Sequence, residues 1–367
     1  MRIKCVLSAI TTMLAVSLAC SSPASADFTG PLPDPNCGTV AGTNCLVFSD
    51  FTVYSMDLLN YQQTGHVING NDPFLVKTSG DDIHDALVVA TGVNGVTAYD
   101  NSDVIGGGKV DQAYQVPNSG GGTINYLMTG NSSGEGANVP GVNSPSTWDV
   151  DVASLVDYLD GGQLAFFFNL NQTKTQEYLN DPSDALGWLA VTLTDTRPGG
   201  NAPVTFYLNG NNCDGQIGVV GSTHCDPGQS YTGTMPPLTQ AQYDETNILP
   251  AGQEWAYIHG TLCVSSAGAV VHFGPCDGSE DSSLDAKSID QNLGASVAAF
   301  GLYSDKLQTA LLSGDYTKMS VDLRMAAEDN GYEQLIIRAL PEPLTVSLFG
   351  IGLFGLTMLR RRKLARA

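Results

Sequence analysis

The chain has little positive charge away from its two ends. Between residues 27 and 340 there are nine Lys and Arg residues against 36 Asp and Glu residues, a net charge of −27. Such a surface repels nucleic acid and anionic lipid, which excludes nucleic acid as a partner. It suits neutral polysaccharide, or divalent cations that bridge the protein to anionic polymers.

Motifs for metal or nucleophilic catalysis are also lacking. The five histidines form no His-x-His or His-x-x-x-His spacing, and no Cys-x-x-Cys occurs. Residues 130–134 match G-x-S-x-G, but turn-forming residues follow where a nucleophile elbow needs a helix. We therefore assign no catalytic residue.

The N-terminus is typical of a secretory signal. Two basic residues precede an apolar stretch, residues 5–19, and Ala24 and Ala26 supply the small side chains that a signal peptidase accepts. We predict a signal peptide over residues 1–26. Lipid attachment at Cys20 is the alternative, but Ser17 stands where a lipobox prefers a bulky aliphatic residue.

Six cysteines remain after removal of the signal, an even number that favours disulfides in an oxidising compartment. They fall into three pairs that are close in sequence: Cys37 and Cys45, Cys213 and Cys225, Cys263 and Cys276. Local pairing is favoured because each loop is short, although the sequence does not fix the connectivity and zinc is an alternative.

The C-terminus combines three features in a fixed order. Pro341, Glu342 and Pro343 come first, and both prolines disfavour helix before them, so an extended peptide is expected. An uncharged segment, residues 344–359, would span about 24 Å as a helix, short for a hydrocarbon core of about 30 Å. A basic cluster follows: Arg360, Arg361, Arg362 and Lys363.

These three features together resemble the PEP-CTERM sorting signal of exosortase substrates. The resemblance covers residues 340–367 and implies a Gram-negative bacterium that produces exopolysaccharide. It also implies a transient inner-membrane anchor, cleavage near Pro-Glu-Pro by exosortase, and delivery to the cell surface or extracellular matrix. A permanent single-span anchor is the alternative, and it requires no Pro-Glu-Pro.

Residues 27–339 read as one secreted, acidic, mainly β domain. Short apolar runs bounded by turn residues predict these strands: Cys45–Tyr54, Ala86–Thr91, Leu164–Leu170, Trp188–Leu193, Val204–Leu208, Glu254–Val264 and Val270–Phe273. Alternating apolar residues from Met319 to Met325, a turn, and an apolar return at 335–337 predict a hairpin. Many short strands favour a jelly-roll-like β-sandwich.

Few helices are expected. Asp151 is placed to cap a helix over Val152–Leu159, and Ser304 or Asp305 to cap a short helix that ends near Gly314. In the first of these helices Val152, Leu155, Val156 and Leu159 share one face, and Gly161 and Gly162 end it.

Calcium is the ion that best suits the acidic turns of this sequence. Carboxylate and hydroxyl oxygens crowd into short segments, as hard cations require. The candidate ligands are Asp277, Ser279 and Asp281, with further clusters at 100–103 and at Asp149 and Asp151. None completes an EF-hand loop.

The function that these features favour is a non-enzymatic binding or structural protein of the exopolysaccharide or biofilm matrix. Aromatic residues such as Trp148, Trp188 and Trp255 are candidates for stacking on sugars, although core packing is their commoner use. The alternative is a secreted glycan-active hydrolase that uses a carboxylate pair. With 36 acidic residues, such a pair carries no weight by itself.

Overall fold

The computed structural model describes residues 45–70, 72–77, 89–90, 126–128, 147–170, 185–209, 229–230, 233–234, 249–250, 253, 256–276, 278, 285–294, 297–326 and 334–340. Several predictions fall outside these ranges and stay predictions. They concern the signal peptide, the tail from Pro341 onward, Cys37, Cys213 and Cys225, Trp255, and the calcium candidates Asp277, Ser279 and Asp281.

The described chain is mainly β. Its strands are β1 (Cys45–Phe48), β2 (Phe51–Ser55), β3 (Val89–Ala90), β4 (Tyr126–Met128), β5 (Trp148–Asp151), β6 (Gln163–Asn169), β7 (Ala185–Thr194), β8 (Val204–Leu208), β9 (Gln229–Ser230), β10 (Gly233–Thr234), β11 (Ala256–Ile258), β12 (Thr261–Val264), β13 (Val270–Phe273), β14 (Lys287–Asp290), β15 (Ala298–Tyr303), β16 (Lys318–Ala326) and β17 (Gln334–Leu340). Its helices are α1 (Met56–Thr64), α2 (Val152–Leu159) and α3 (Asp305–Leu312).

Two larger sheets carry most of the strands. The first sheet has the order β1-β2-β15-β6-β17-β3. The second has the order β11-β7-β16-β4, with β8 beside β7 and β5 beside β16. A small sheet, β13-β12-β14, and a two-stranded pair, β9 and β10, complete the described strands. The recorded pairings within all of these sheets are antiparallel.

The two larger sheets bury facing side chains in one core. Phe166, Phe168 and Ile337 contribute from the first sheet, and Leu189 and Val321 from the second. The first sheet is also buried on its other face, where Phe167 and Ile336 pack in a second cluster with residues of α1 and of the segment 72–77. Burial on both faces explains the continuous apolar run of β6.

Helices α2 and α3 confirm the sequence prediction. The Asp151 carboxylate accepts a hydrogen bond of 3.0 Å from the backbone N–H of Ser154, which caps α2. Ser304, and not Asp305, caps α3 by accepting from the N–H of Leu307 at 3.2 Å. Leu155 of α2 and Leu311 of α3 both lie in the core between the sheets.

Helix α1 was not predicted. It begins at the cap residue Ser55, which directly ends β2, and stops at Gly65 in a left-handed conformation. Leu58 and Tyr61 pack against the small sheet. Apolar residues continue from β2 into α1 with only single polar residues such as Ser55 and Asp57 between them, so the pattern does not mark where the strand ends and the helix starts.

Two predicted strands were wrong because the chain turns inside them. The run Cys45–Tyr54 is a hairpin in which Phe48 pairs with Phe51 around Ser49, whose φ is 57°. The run Glu254–Val264 breaks at His259 and Gly260, since β11 pairs with β7 whereas β12 pairs with β13 and β14. Neither turn contains an Asn-Gly signal.

The predicted hairpin of β16 and β17 was also wrong. Strand β16 pairs with β4, β5 and β7 in the second sheet, and β17 pairs with β3 and β6 in the first. Val321, Leu323 and Ile337 nevertheless share the core between the sheets. The alternation therefore predicted the buried face correctly and the pairing partner wrongly.

Among the helices in the described ranges, none has the length and apolar character that a membrane crossing needs.

Candidate functional site

A cavity of about 110 Å³ lies among the first, second and small sheets. Phe168 and Leu302 line it from the first sheet, Leu189 and Leu323 from the second, and Leu262 from the small sheet. We call it the inter-sheet cavity. Three sheets therefore contribute to its wall.

The described wall of the inter-sheet cavity is almost wholly apolar. It includes no Asp, Glu, Lys or Arg, and its polar side chains are Ser55, His259 and Gln291. Cys45 also lines it, as a disulfide-bonded residue without a thiol proton. A wall of this kind favours uncharged, apolar occupants over ions.

Gln291 forms hydrogen bonds to the turn that connects β11 to β12. Its backbone N–H donates to the carbonyl of Gly260 at 2.6 Å, and its side-chain Nε2 donates to the carbonyl of His259 at 2.6 Å. These bonds satisfy the peptide oxygens exposed by the break between the two strands. Gln291 is 3% exposed, and its Oε1 is buried without a hydrogen-bond partner in the described part of the chain.

A second group of buried polar side chains holds the loop after α1. The Asp57 carboxylate accepts from the N–H of Ile68 at 2.5 Å. Asn60 Nδ2 donates to the His66 carbonyl at 2.9 Å and to Asp72 Oδ2 at 3.1 Å. We call Asp57, Asn60, His66 and Asp72 the Asp57 cluster.

Burial dominates the electrostatics of the Asp57 cluster. Loss of solvation raises the pKa of Asp57 to about 6; the hydrogen bond from Ile68 opposes this, and the negative charges of Asp290 and Asp72 add to it. Asp57 Oδ2 and Asn60 Oδ1 are buried without hydrogen-bond partners among the described residues. The described chain brings no three acidic, His or Cys side chains into an arrangement that holds a metal.

The calcium candidate at Asp149 and Asp151 lies within the described residues, where both carboxylates have partners in the protein. Asp149 is buried and accepts from the Thr147 hydroxyl at 2.9 Å, with Lys318 Nζ at 3.6 Å from the same oxygen. Burial raises the pKa of Asp149, while Ser320, Lys318 and Thr147 oppose the shift. Asp151 is used as the cap of α2. Both carboxylates therefore have structural roles in the fold.

Two of the tryptophans considered for sugar stacking lie inside the protein. Trp148 is 0% exposed and belongs to the core between the sheets. Trp188 is 2% exposed, and its ring lies under the Arg324 guanidinium at 5.2 Å. Core packing and a cation–π contact are therefore what these rings do.

One predicted disulfide is present. Cys263 and Cys276 are joined, with a sequence separation of 13 residues, as the preference for local pairing led us to expect. Cys45 is also disulfide-bonded, and its partner lies outside the described residues. The bond at Cys263 ties β12 to the segment that follows β13.

Neither Gln291 nor the Asp57 cluster has a signal in the sequence. Gln291 is one polar residue in a stretch that includes Asp290 and Asn292, and only the packing of three sheets places it beside a cavity. Asp57 and Asn60 are three positions apart, which put them on one helical face, but they looked like surface residues because α1 was not predicted.

Fold and site together define an antiparallel, mainly β protein with a disulfide and an apolar cavity between its sheets. The chain belongs to the protein family described as Domain of unknown function (DUF8239), which matches residues 31–324. Neither the curated proteins nor the solved structures contain a match to the chain.

Proposed function

We propose that this protein is exported, processed by exosortase and delivered to the cell surface or extracellular matrix of a Gram-negative bacterium. It acts there as a non-enzymatic binding or structural protein associated with exopolysaccharide. The observation that carries the proposal is the ordered C-terminal combination of Pro341-Glu342-Pro343, an uncharged segment and a basic cluster.

The short apolar segment explains how the chain would be held in the inner membrane before processing. Sixteen residues, 344–359, hold the chain in a bilayer only with their basic flank drawn to the interface. Arg360 to Lys363 would stay on the cytoplasmic side by the positive-inside bias, which leaves the β domain outside. The extended peptide around Glu342 is then presented to a protease at the outer surface.

The disulfide supports export. Cys263 is fully buried and bonded to Cys276, and disulfides persist mainly in oxidising compartments. A second bonded cysteine, Cys45, agrees with the same environment. The acidic charge of the domain suits association with neutral polysaccharide, or with anionic polysaccharide through divalent cations.

For the fold we propose a jelly-roll-like β-sandwich. The support is that the two larger sheets bury facing side chains in one core, which is the defining contact of a sandwich. A crossing between sheets also favours it, because consecutive strands β16 and β17 lie in different sheets.

Mass spectrometry of the exported protein tests the proposed processing. The protein is recovered from a strain that has its exosortase and from a strain that lacks it, and the C-terminal peptide is sequenced. We expect residues 344–367 to be missing only when exosortase is present. Recovery of that segment from both strains would refute the proposal and favour a permanent anchor.

A matched pair of variants sharpens this experiment. Glu342→Ala alters the Pro-Glu-Pro motif and should leave the tail attached in the presence of exosortase. Glu333→Ala changes a nearby acidic residue outside the motif and should be processed as the wild type is. Equal processing of both variants would show that the motif is not what the enzyme recognises.

A further inference from the structure

We propose that the inter-sheet cavity binds a small uncharged molecule with an apolar body and one hydrogen-bond donor, the chemistry represented by phenol. This inference does not depend on export or exosortase processing. It depends on the size of the cavity, its apolar wall and one buried acceptor.

The size of the cavity fits a single ring. Its volume is about 110 Å³, and an engineered apolar protein cavity of about 150 Å³ stays dry and binds benzene. Leu189, Leu302 and Leu323 supply aliphatic contacts to such a ring, and Phe168 supplies an aromatic one. Burial of the ring against these side chains is favourable because it removes apolar surface from water.

The wall selects against charge. The described lining residues include no Asp, Glu, Lys or Arg, so an ionised ligand would lose its hydration without gaining a counter-ion. The occupant therefore enters as a neutral molecule.

Gln291 sets the polar requirement. A carbonyl oxygen only accepts hydrogen bonds, so the 2.6 Å contact with the His259 carbonyl fixes Nε2 as the bonded end of the amide. Oε1 is then the other end of the Gln291 amide. It is buried and has no hydrogen-bond partner among the described residues, and the Gln291 side chain lines the cavity. A hydroxyl on the ligand supplies the missing donor.

This acceptor predicts discrimination between two probes of nearly equal size. A site with a buried unpaired acceptor favours the ligand that carries the matching donor. Phenol should bind about 10-fold more tightly than benzene, which corresponds to one neutral hydrogen bond.

The test is titration of the purified exported protein with phenol and with benzene, followed by calorimetry and by protein-observed NMR. In Gln291→Leu, the preference for phenol should fall to about 1-fold while benzene still binds. Gln62→Leu is the matched control. Gln62 also donates Nε2 to a backbone carbonyl, that of Gly268 at 2.8 Å, but it does not line the cavity. This variant should keep the preference.

A third variant tests the location. Ala256 lines the cavity and is 3% exposed, so Ala256→Leu fills part of the space and should abolish binding of both probes. If a variant does not fold, the wild-type protein still decides the matter. Phenol ring protons should then show cross-relaxation with the methyl groups of Leu302 and Leu323.

Three results would overturn the proposal. They are binding of neither probe by the wild type, an equal preference for phenol in the wild type and Gln291→Leu, and cross-relaxation with methyl groups elsewhere only. A cavity that holds water alone would give the first result.

Discussion

Lys318 Nζ lies 3.6 Å from the Oδ1 atom of Asp149, a carboxylate with no solvent exposure. The two residues lie on neighbouring strands, β16 and β5, where Ser320 is directly opposite Asp149. Lys318 and Ser320 lie on the polar face of β16, because Met319 and Val321 on the alternate positions enter the core. The pair is largely desolvated and should behave differently from a surface ion pair.

Lys318→Met should therefore be strongly destabilising near neutral pH. It leaves the Asp149 charge buried without its cation, which costs about 3–5 kcal/mol of the free energy of unfolding. The cost should shrink at acidic pH, because burial raises the pKa of Asp149 and the carboxyl is then neutral. Urea unfolding at several pH values measures this.

Lys306→Met is the matched control for this pair. Lys306 bonds Asp50 at 2.7 Å, but its side chain is 68% exposed, so its loss should cost about 0–1 kcal/mol. The double variant with Asp149→Asn and Lys318→Met should recover part of the loss. Equal costs for Lys318→Met and Lys306→Met would contradict the importance of burial.

Asp57 should make the protein less stable as the pH rises from about 4 to about 6. Its pKa is about 6 in the folded chain against an ordinary value of 3.8, so the folded state holds a proton that the unfolded state has released. The contribution of Asp57 to the free energy of unfolding is fully present below its pKa in the unfolded chain. It is lost as the pH rises through its pKa in the folded chain. The shift corresponds to roughly 3 kcal/mol.

Thermal or urea unfolding of the wild type and of Asp57→Asn across this pH range checks the prediction. The amide keeps an acceptor for the N–H of Ile68 but does not titrate, so the fall in stability between pH 4 and 6 should flatten. The neighbouring side chains of His66, Asp72 and Asp290 are unchanged in the variant. Parallel profiles for the two proteins would show that Asp57 is not the group responsible.

Removal of the Cys263–Cys276 bond should lower the free energy of unfolding by about 2–3 kcal/mol. A cross-link that closes a loop of this length restricts the unfolded chain by about this amount. The double variant Cys263→Ala and Cys276→Ala is compared with the wild type by denaturant unfolding. Non-reducing peptide mapping that joined Cys263 to any other cysteine would contradict the assigned pairing.

Asp151→Ala should destabilise α2 by about 1 kcal/mol. The carboxylate caps the helix by accepting from the Ser154 N–H at 3.0 Å and the Ser154 hydroxyl at 2.8 Å. Asp151→Asn keeps a capping oxygen and should lose much less. If both variants unfolded at the wild-type denaturant midpoint, the cap would have no measurable role.

Local features of the fold were predictable where one short segment contained all the information. The cap Asp151 followed by apolar residues at helical spacing predicted α2, and β8 and β13 have the predicted bounds. These elements form from hydrogen bonds and side-chain periodicity within a few residues. The tight turns at Ser49 and at His259 were missed because neither Ser49-Asp50 nor His259-Gly260 is an Asn-Gly pair, the turn signal used to divide the strands.

The sequence by itself determined that residues of β16 alternate between core and polar faces and that α2 and α3 begin at side-chain caps. It also predicts a sorting-type signal at the C-terminus. Only the tertiary structure decided that β16 and β17 lie in different sheets, that Gln291 borders a cavity and that Lys318 reaches Asp149. Periodicity depends on neighbours along the chain, whereas strand partners and cavities depend on how segments more than a hundred residues apart pack together.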